Sequence, residues 1–310
     1  MGQVSTGHPL SEAHAAAARG TQAPRIEIAR HAGVCYGVER ALDMAREAAS
    51  SARQPVRTLG PLIHNPRVVR ELEAAGVGLA EDLEPDSEGT VVIRAHGVTP
   101  SVIERARELG LEVIDATCPY VTKVHLAARK LAAEGYQVVV VGESGHPEVE
   151  GIMGHAGEGA LVVSGAADLE GAALARRVGV VVQTTQTDER LTEVVSALLP
   201  RCAEVRVVNT ICKATHERQE SAAELAGRAD AVIVVGGKNS GNTRRLAQIC
   251  AARCPRTHHV EDASEIEAAW LTGARLIGVT AGASTPPAHI EQAVRAIRDL
   301  TGAEPAGGEI

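Results

Sequence analysis

From residue 56 onward the chain alternates short runs of β-branched residues with amphipathic stretches. The runs read VVIRA, LEVID, YQVVVVG, VGVVVQT, EVRVVNT, AVIVVGG and RLIGVTAG. Runs of this kind, separated by helical patterns, predict parallel strands joined by helical crossovers. The expected class is α/β with mainly parallel sheets. Pro119 and Pro286 fit the starts of helices, where a missing N–H is harmless.

At 310 residues the chain exceeds what one core usually serves and suits two or three compact units. Apolar residues make up 45% of it, yet it has no Phe, one Trp and three Tyr, so Val, Leu, Ile and Ala must pack the interior. The pattern divides into α/β domains over 25–117, 118–211 and 212–302, with a disordered extension over 1–24 and a tail over 303–310. Within the extension only Arg19 is basic and Glu12 is acidic, a poor match to an organellar transit peptide.

A net charge of −8 argues against a nucleic-acid partner, which needs a basic face. No stretch approaches the roughly 20 apolar residues of a membrane span, and no secretory signal opens the chain. The expectation is a soluble, cytoplasmic protein with no membrane partner. In a reducing compartment its six cysteines are ligands, nucleophiles or small hydrophobes rather than three disulfides.

Ligands of open α/β sheets bind beyond the carboxyl ends of strands. There the first third places GPLIHNP and RAHGV, the second GESGHPEVEG and QTTQT, and the last GGKNSGNT and TAGAST. Each third also carries a solitary cysteine, Cys35, Cys118 or Cys212, at separations of 83 and 94 residues. A threefold arrangement with converging loops is the simplest way to unite these elements. The alternative is three consecutive domains with separate loops.

Three converging thiolates suit a Cys₃His zinc site, or an iron-sulfur cluster that leaves one iron open to substrate. Any one of them could instead be a buried, inert thiol. Cys250 and Cys254, with His258 and His259, mimic a second metal site, although cysteine in an Ala-rich helix is commonly packing. Cys202 belongs to no constellation. The loops, rich in Gly, Ser, Thr, Asn and His at helix starts, suit an anion such as phosphate. GGKNSGNT departs from the phosphate-loop pattern, and no G-x-G-x-x-G follows a strand, so electrons would arrive from outside. GHPEVEG offers a proton donor, Glu148 or Glu150, whose pKa a closed pocket would raise. The residues alone leave that choice open.

Taken in order, GVCYGVERA, IHNPRVV, AHGV, DATCPYVTKVH, GHPEVEG, QTT, ICKAT with RQE, KNSGNTRRL and TAGAST resemble the 4-hydroxy-3-methylbut-2-enyl diphosphate reductase family over about residues 26–300. The resemblance implies a trefoil of three similar α/β domains around one central 4Fe-4S cluster. Cys35, Cys118 and Cys212 would ligate it and leave one iron open. The implied reaction removes the hydroxyl of an allylic diphosphate, with two electrons and two protons, to give isopentenyl and dimethylallyl diphosphates. That is the last step of the non-mevalonate isoprenoid pathway, with ferredoxin or flavodoxin as electron donor. His64, His96, Ser240, Asn242 and Ser284 then correspond to diphosphate-binding positions. His146, Glu148 and Thr184 correspond to those near the departing hydroxyl, with Glu148 the proton donor. Gly241 stands where the family often has a second serine, and its backbone N–H can still face the anion. The competing readings are a cluster-bearing redox sensor and a zinc-stabilised anion-binding module.

Overall fold

Stiff β-branched side chains pack well on a pleated surface, and all seven runs lie in strands. The computed structural model describes residues 23–302 and 304–305. The extension expected over 1–24 falls outside it up to residue 22, as does the tail apart from 304–305. No helix among the described residues is long and apolar enough to cross a membrane.

Every strand pairing is parallel. One sheet runs in the order Val77–Ala80, Val56–Leu59, Thr90–Ile93, Glu112–Asp115. A second runs Leu161–Val163, Gln137–Val141, Arg177–Val182, Glu204–Val207. The third runs Thr257–Val260, Ala231–Val235, Leu276–Ala281, Arg25–Ile28, with Glu304–Pro305 on its far edge. Helices cover both faces, so central strands such as Ala231–Val235 are buried throughout.

The three sheets thus share one winding, and the third takes its fourth strand from the start of the chain. This differs from the expected division, which placed 25–28 with the first domain. Ile26 pairs with Ile277 and Ile28 with Val279, so that strand belongs to the third sheet. The short, charged run RIEI gives no sign of this permutation. Residues 304–305, expected in the tail, pair with Arg25 and Ile26.

The winding explains the cysteine spacing. In each sheet the strand in fourth position leads to a solitary cysteine, and that cysteine opens a helix packed on the next sheet. Cys35 precedes Tyr36–Ser51, Cys118 precedes Pro119–Ala133, and Cys212 precedes Lys213–Ala226. The cysteines therefore sit where the chain passes from unit to unit.

Crossed hydrogen bonds lock the units together. Asn65 donates through Nδ2 to the Ser284 carbonyl at 2.8 Å, Arg244 pairs with Glu143 at 2.5 Å, and Arg245 donates to Gln186 Oε1 at 2.9 Å.

Candidate functional site

All three cysteines occupy N-cap positions with non-helical backbone, and none uses its side chain as a cap. Their sulfurs are left free for the central cavity, which all three line. Backbone N–H groups of Tyr120 and Val121 approach Cys118, and the Thr215 hydroxyl lies 3.1 Å from Cys212 Sγ. Burial pushes the Cys118 and Cys212 thiols up in pKa, and repulsion from neighbouring thiols adds to it. No Lys or Arg is among the lining residues. Three thiolates together there require a cation between them, and soft sulfur donors select a soft or borderline metal. The space is kept open by Gly37, where a Cβ would fall 2.3 Å from Cys118 Sγ. The residues present therefore fit a three-thiolate metal centre.

The loops after the strands close the rest of the cavity. His64, His96, His146, Glu148, Thr184, Ser240, Gly241, Asn242 and Ser284, the other site positions that the family resemblance implies, line it together with the cysteines. The imidazoles of His64, His96 and His146 stand with ring centroids 4.4, 5.2 and 5.5 Å apart. Their ligand nitrogens lie within 4.8 Å of one another, a geometry that could hold a metal ion. The electrostatics favour an anion instead. Burial lowers all three pKa values, His146 to about 3, and the Arg94 and Arg244 guanidiniums lower those of His64 and His146 further. The rings are neutral at pH 7, in a field that repels cations. His64 Nε2, His96 Nδ1 and both side-chain polar atoms of Asn242 are buried without a protein partner. Such groups are costly unless a ligand satisfies them.

Asn242 sits in the first turn of helix Gly241–Ala251, whose N-cap Ser240 accepts from the Thr243 N–H at 3.3 Å. Backbone N–H groups and the positive dipole end there would suit an anion. Ser284 donates from Oγ to the His64 carbonyl at 3.4 Å, which ties the first and third units at the cavity wall.

The two carboxylates of GHPEVEG separate cleanly. Glu150 is 58% exposed and faces Arg94 at 3.9 Å. Glu148 is 2% exposed, and burial raises its pKa to about 7 against the hydrogen bonds from Thr184. The His146 ring accepts the Glu148 N–H at Nδ1, 3.1 Å away, so its own proton resides on Nε2.

The second metal-like group dissolves into the core. Cys250 and Cys254 pack among Ala222, Ala226, Val232 and Leu246; His258 stacks on Trp270 and His259 contacts the Gly236 carbonyl at 2.8 Å. Three further residues emerge that the sequence reading did not single out. Thr185 and Thr215 line the cavity, and Arg218 of RQE is buried, donating to the carbonyls of Gly33, Val34 and Ala214. Thr215 stands three residues after an N-capping cysteine, a position that often turns back to the cap, and this was the available signal.

A sequence model of the LytB protein family matches residues 26–298. The 4-hydroxy-3-methylbut-2-enyl diphosphate reductase of Pelobacter propionicus is 48% identical over 276 residues, 89% of this chain and 98% of that protein. The enzyme of the same name from Aquifex aeolicus is 47% identical over 279 residues, 89% and 96% of the two chains. A solved structure of (E)-4-hydroxy-3-methyl-but-2-enyl diphosphate reductase, described as the terminal enzyme of the non-mevalonate pathway, shares 47% identity with a TM-score of 0.67, over 89% of this chain and 99% of that one. The Plasmodium falciparum E-1-hydroxy-2-methyl-but-2-enyl-4-diphosphate reductase shares 26% identity with a TM-score of 0.85, over 93% and 94%. With the shared winding and the full family match, this chain belongs to the LytB protein family of 4-hydroxy-3-methylbut-2-enyl diphosphate reductases.

Proposed function

We propose that this chain reductively removes the hydroxyl of (E)-4-hydroxy-3-methylbut-2-enyl diphosphate, giving isopentenyl and dimethylallyl diphosphates. The carbon–oxygen bond breaks, the oxygen leaves as water, and two electrons and two protons enter. Cys35, Cys118 and Cys212 would hold one 4Fe-4S cluster, which when bound supplies the electrons and an open site beside the substrate's hydroxyl. A ferredoxin or flavodoxin recharges it, since the chain carries no nucleotide-binding fingerprint. Six unpaired cysteines suit the cytoplasm.

The chain's own residues bind, orient and protonate. His64, His96, Ser240, Asn242, Ser284 and the N–H groups at Gly241 and Asn242 hold the diphosphate, and the buried orphaned atoms gain their partners from it. Glu148, with a pKa near 7, is part protonated at neutral pH and gives its proton to the departing oxygen. The Thr184 hydroxyl bridges carboxyl and substrate, and the Nε2–H of His146 orients the hydroxyl. What carries this reading is a buried carboxyl of raised pKa in one cavity with three thiols and an anion cradle.

Anaerobic purification with iron and sulfide analysis, then turnover with a reduced viologen dye, tests it. Brown, active protein is expected. A brown protein without turnover is the redox sensor, and a colourless zinc protein is the anion-binding module.

A further inference from the structure

The motif that supplies Cys118 ends in His125, which the proposed reaction does not use. It lies seven residues beyond Cys118, two turns along the same helix. It is 8% exposed, and its Nε2 is buried without a partner. Burial first, then His155, push its pKa down to about 4 against Asp115, so the ring is neutral at pH 7. An unpartnered, neutral imidazole in this place acts by shape.

Its shape fits between two backbones. A Cβ on Gly97 would lie 2.6 Å from His125 Cε1, and one on Gly151 would lie 3.1 Å from Nε2. One face of the ring is covered by His155, stacked at 4.4 Å and 25°. Gly97 has a φ of +72°, which a side chain would strain. Gly97 directly follows His96, and Gly151 lies one turn beyond Glu148 on helix Pro147–Met153. The ring therefore packs at once against the loop carrying a diphosphate-facing histidine and the helix carrying the acid. The two also approach directly, since a Cβ on Gly151 would lie 3.6 Å from the Gly97 carbonyl carbon and one on Gly154 2.6 Å from Thr99 Cγ2, and the half-exposed Arg94–Glu150 pair joins them at 3.9 Å.

We infer that His125 is a positioning residue, a spacer keyed by Gly97 and Gly151 that sets the distance between His96 and Glu148. This rests on the function proposed above. Misplacement by a fraction of an ångström in a preorganised site lowers turnover without removing any group that touches substrate.

The test is a size swap on the holoenzyme: His125→Ala, Gly151→Ala and the double variant. Readouts are iron per chain, kcat and KM at a temperature well below unfolding, and affinity for inorganic diphosphate by calorimetry. His125→Ala should lower kcat by roughly ten-fold or more with iron content unchanged. Gly151→Ala, which presses on the same ring without leaving a cavity, should also lower kcat, and it carries the test alone if His125→Ala fails to fold. In the double variant the new methyl enters the vacated space and should recover most of the loss, a non-additivity expected of residues in contact. Single variants with wild-type kcat and diphosphate affinity, or strictly additive losses, overturn the spacer. An inactive wild type instead defeats the proposed function, and diphosphate affinity still tests the spacer.

Discussion

Thr184 holds both carboxyl oxygens of Glu148: its backbone N–H donates to Oε1 at 2.6 Å and its hydroxyl to Oε2 at 2.9 Å. The pair joins helix Pro147–Met153 to the loop after strand Arg177–Val182. These bonds favour the ionised carboxylate, while burial opposes it and prevails. The acid is fixed in place yet retains a proton near neutral pH, the combination proton donation requires.

Glu148→Gln keeps size and hydrogen bonding but has no proton to release. Turnover should fall by roughly 10² to 10⁴, typical of general acid catalysis, with the cluster retained and diphosphate still bound. Glu150→Gln should stay close to wild type, because that side chain faces solvent and Arg94. Anaerobic single-turnover assays decide between them, and a larger loss at Glu150 reverses the assignment.

The same carboxyl makes stability depend on pH. Its native pKa near 7 exceeds the ordinary 4.5, so between those values the native state keeps a proton the unfolded chain has lost. Its stabilising contribution is complete below about 4.5 and is lost as pH rises through 7. Glu148→Gln does not titrate. Its melting temperature should therefore gain on wild type between pH 5 and 8, by the equivalent of a few kcal/mol at most. Anaerobic thermal melts that keep a constant difference over this range would contradict the raised pKa.

Much of this arrangement was legible because it rests on local chemistry. Long valine runs announce central strands, and Gly, Ser, Asn and His after them mark the loops that line the cavity. The strands that escaped notice, RIEI, VRTL, VGLA, LVV and THHV, are at most four residues long, and several carry charges or glycine. Glu148 and Glu150 are two positions apart on a helix and point to nearly opposite sides, so one is buried and one exposed. Only packing reveals which. Arg218 and His125 were unreadable for another reason: both act on backbone distant in sequence, Arg218 on Gly33 and His125 on Gly97.

If the three helix-opening cysteines ligate the cluster, Cys118→Ser should remove the brown colour and the activity, since a hard alcohol replaces a soft thiolate. Changing Cys250 and Cys254 to Ala should leave iron content intact and cost about 1 kcal/mol each as small core deletions. Iron analysis with chemical denaturation checks both parts, and loss of iron from the double variant would assign the wrong ligands.

Asn242 offers a buried amide with neither atom satisfied. Asn242→Ala should weaken inorganic diphosphate binding by about 1.5 to 3 kcal/mol, the worth of a hydrogen bond to a charged group. At Gly241 the nearest neighbours of a Cβ would be Thr185 Oγ1 at 3.7 Å and the Glu143 carboxylate at 3.8 Å, both ordinary contacts. Gly241→Ser should therefore fit and tighten diphosphate. Calorimetry on both variants is the check, and an unchanged affinity for Asn242→Ala would move the anion site elsewhere.

Arg218 provides the last test, because it ties two of the three cysteines without touching either. It leaves helix Lys213–Ala226, which Cys212 opens, and donates from Nε and Nη2 to the Gly33 carbonyl at 3.0 and 2.7 Å. A further bond reaches the Val34 carbonyl at 3.0 Å, one residue before Cys35. Lysine has one charged nitrogen and cannot reproduce this planar fork. Arg218→Lys should fold, since the sheets do not depend on the contact, but the loop carrying Cys35 should lose its fixed distance from Cys212. The expected result is a cluster assembled under anaerobic conditions and lost several-fold faster in air, followed as the decay of visible absorbance. Decay at the wild-type rate would mean that the Cys35 loop is held by its other contacts, among them the Cys35 N–H to the Ala283 carbonyl at 3.2 Å.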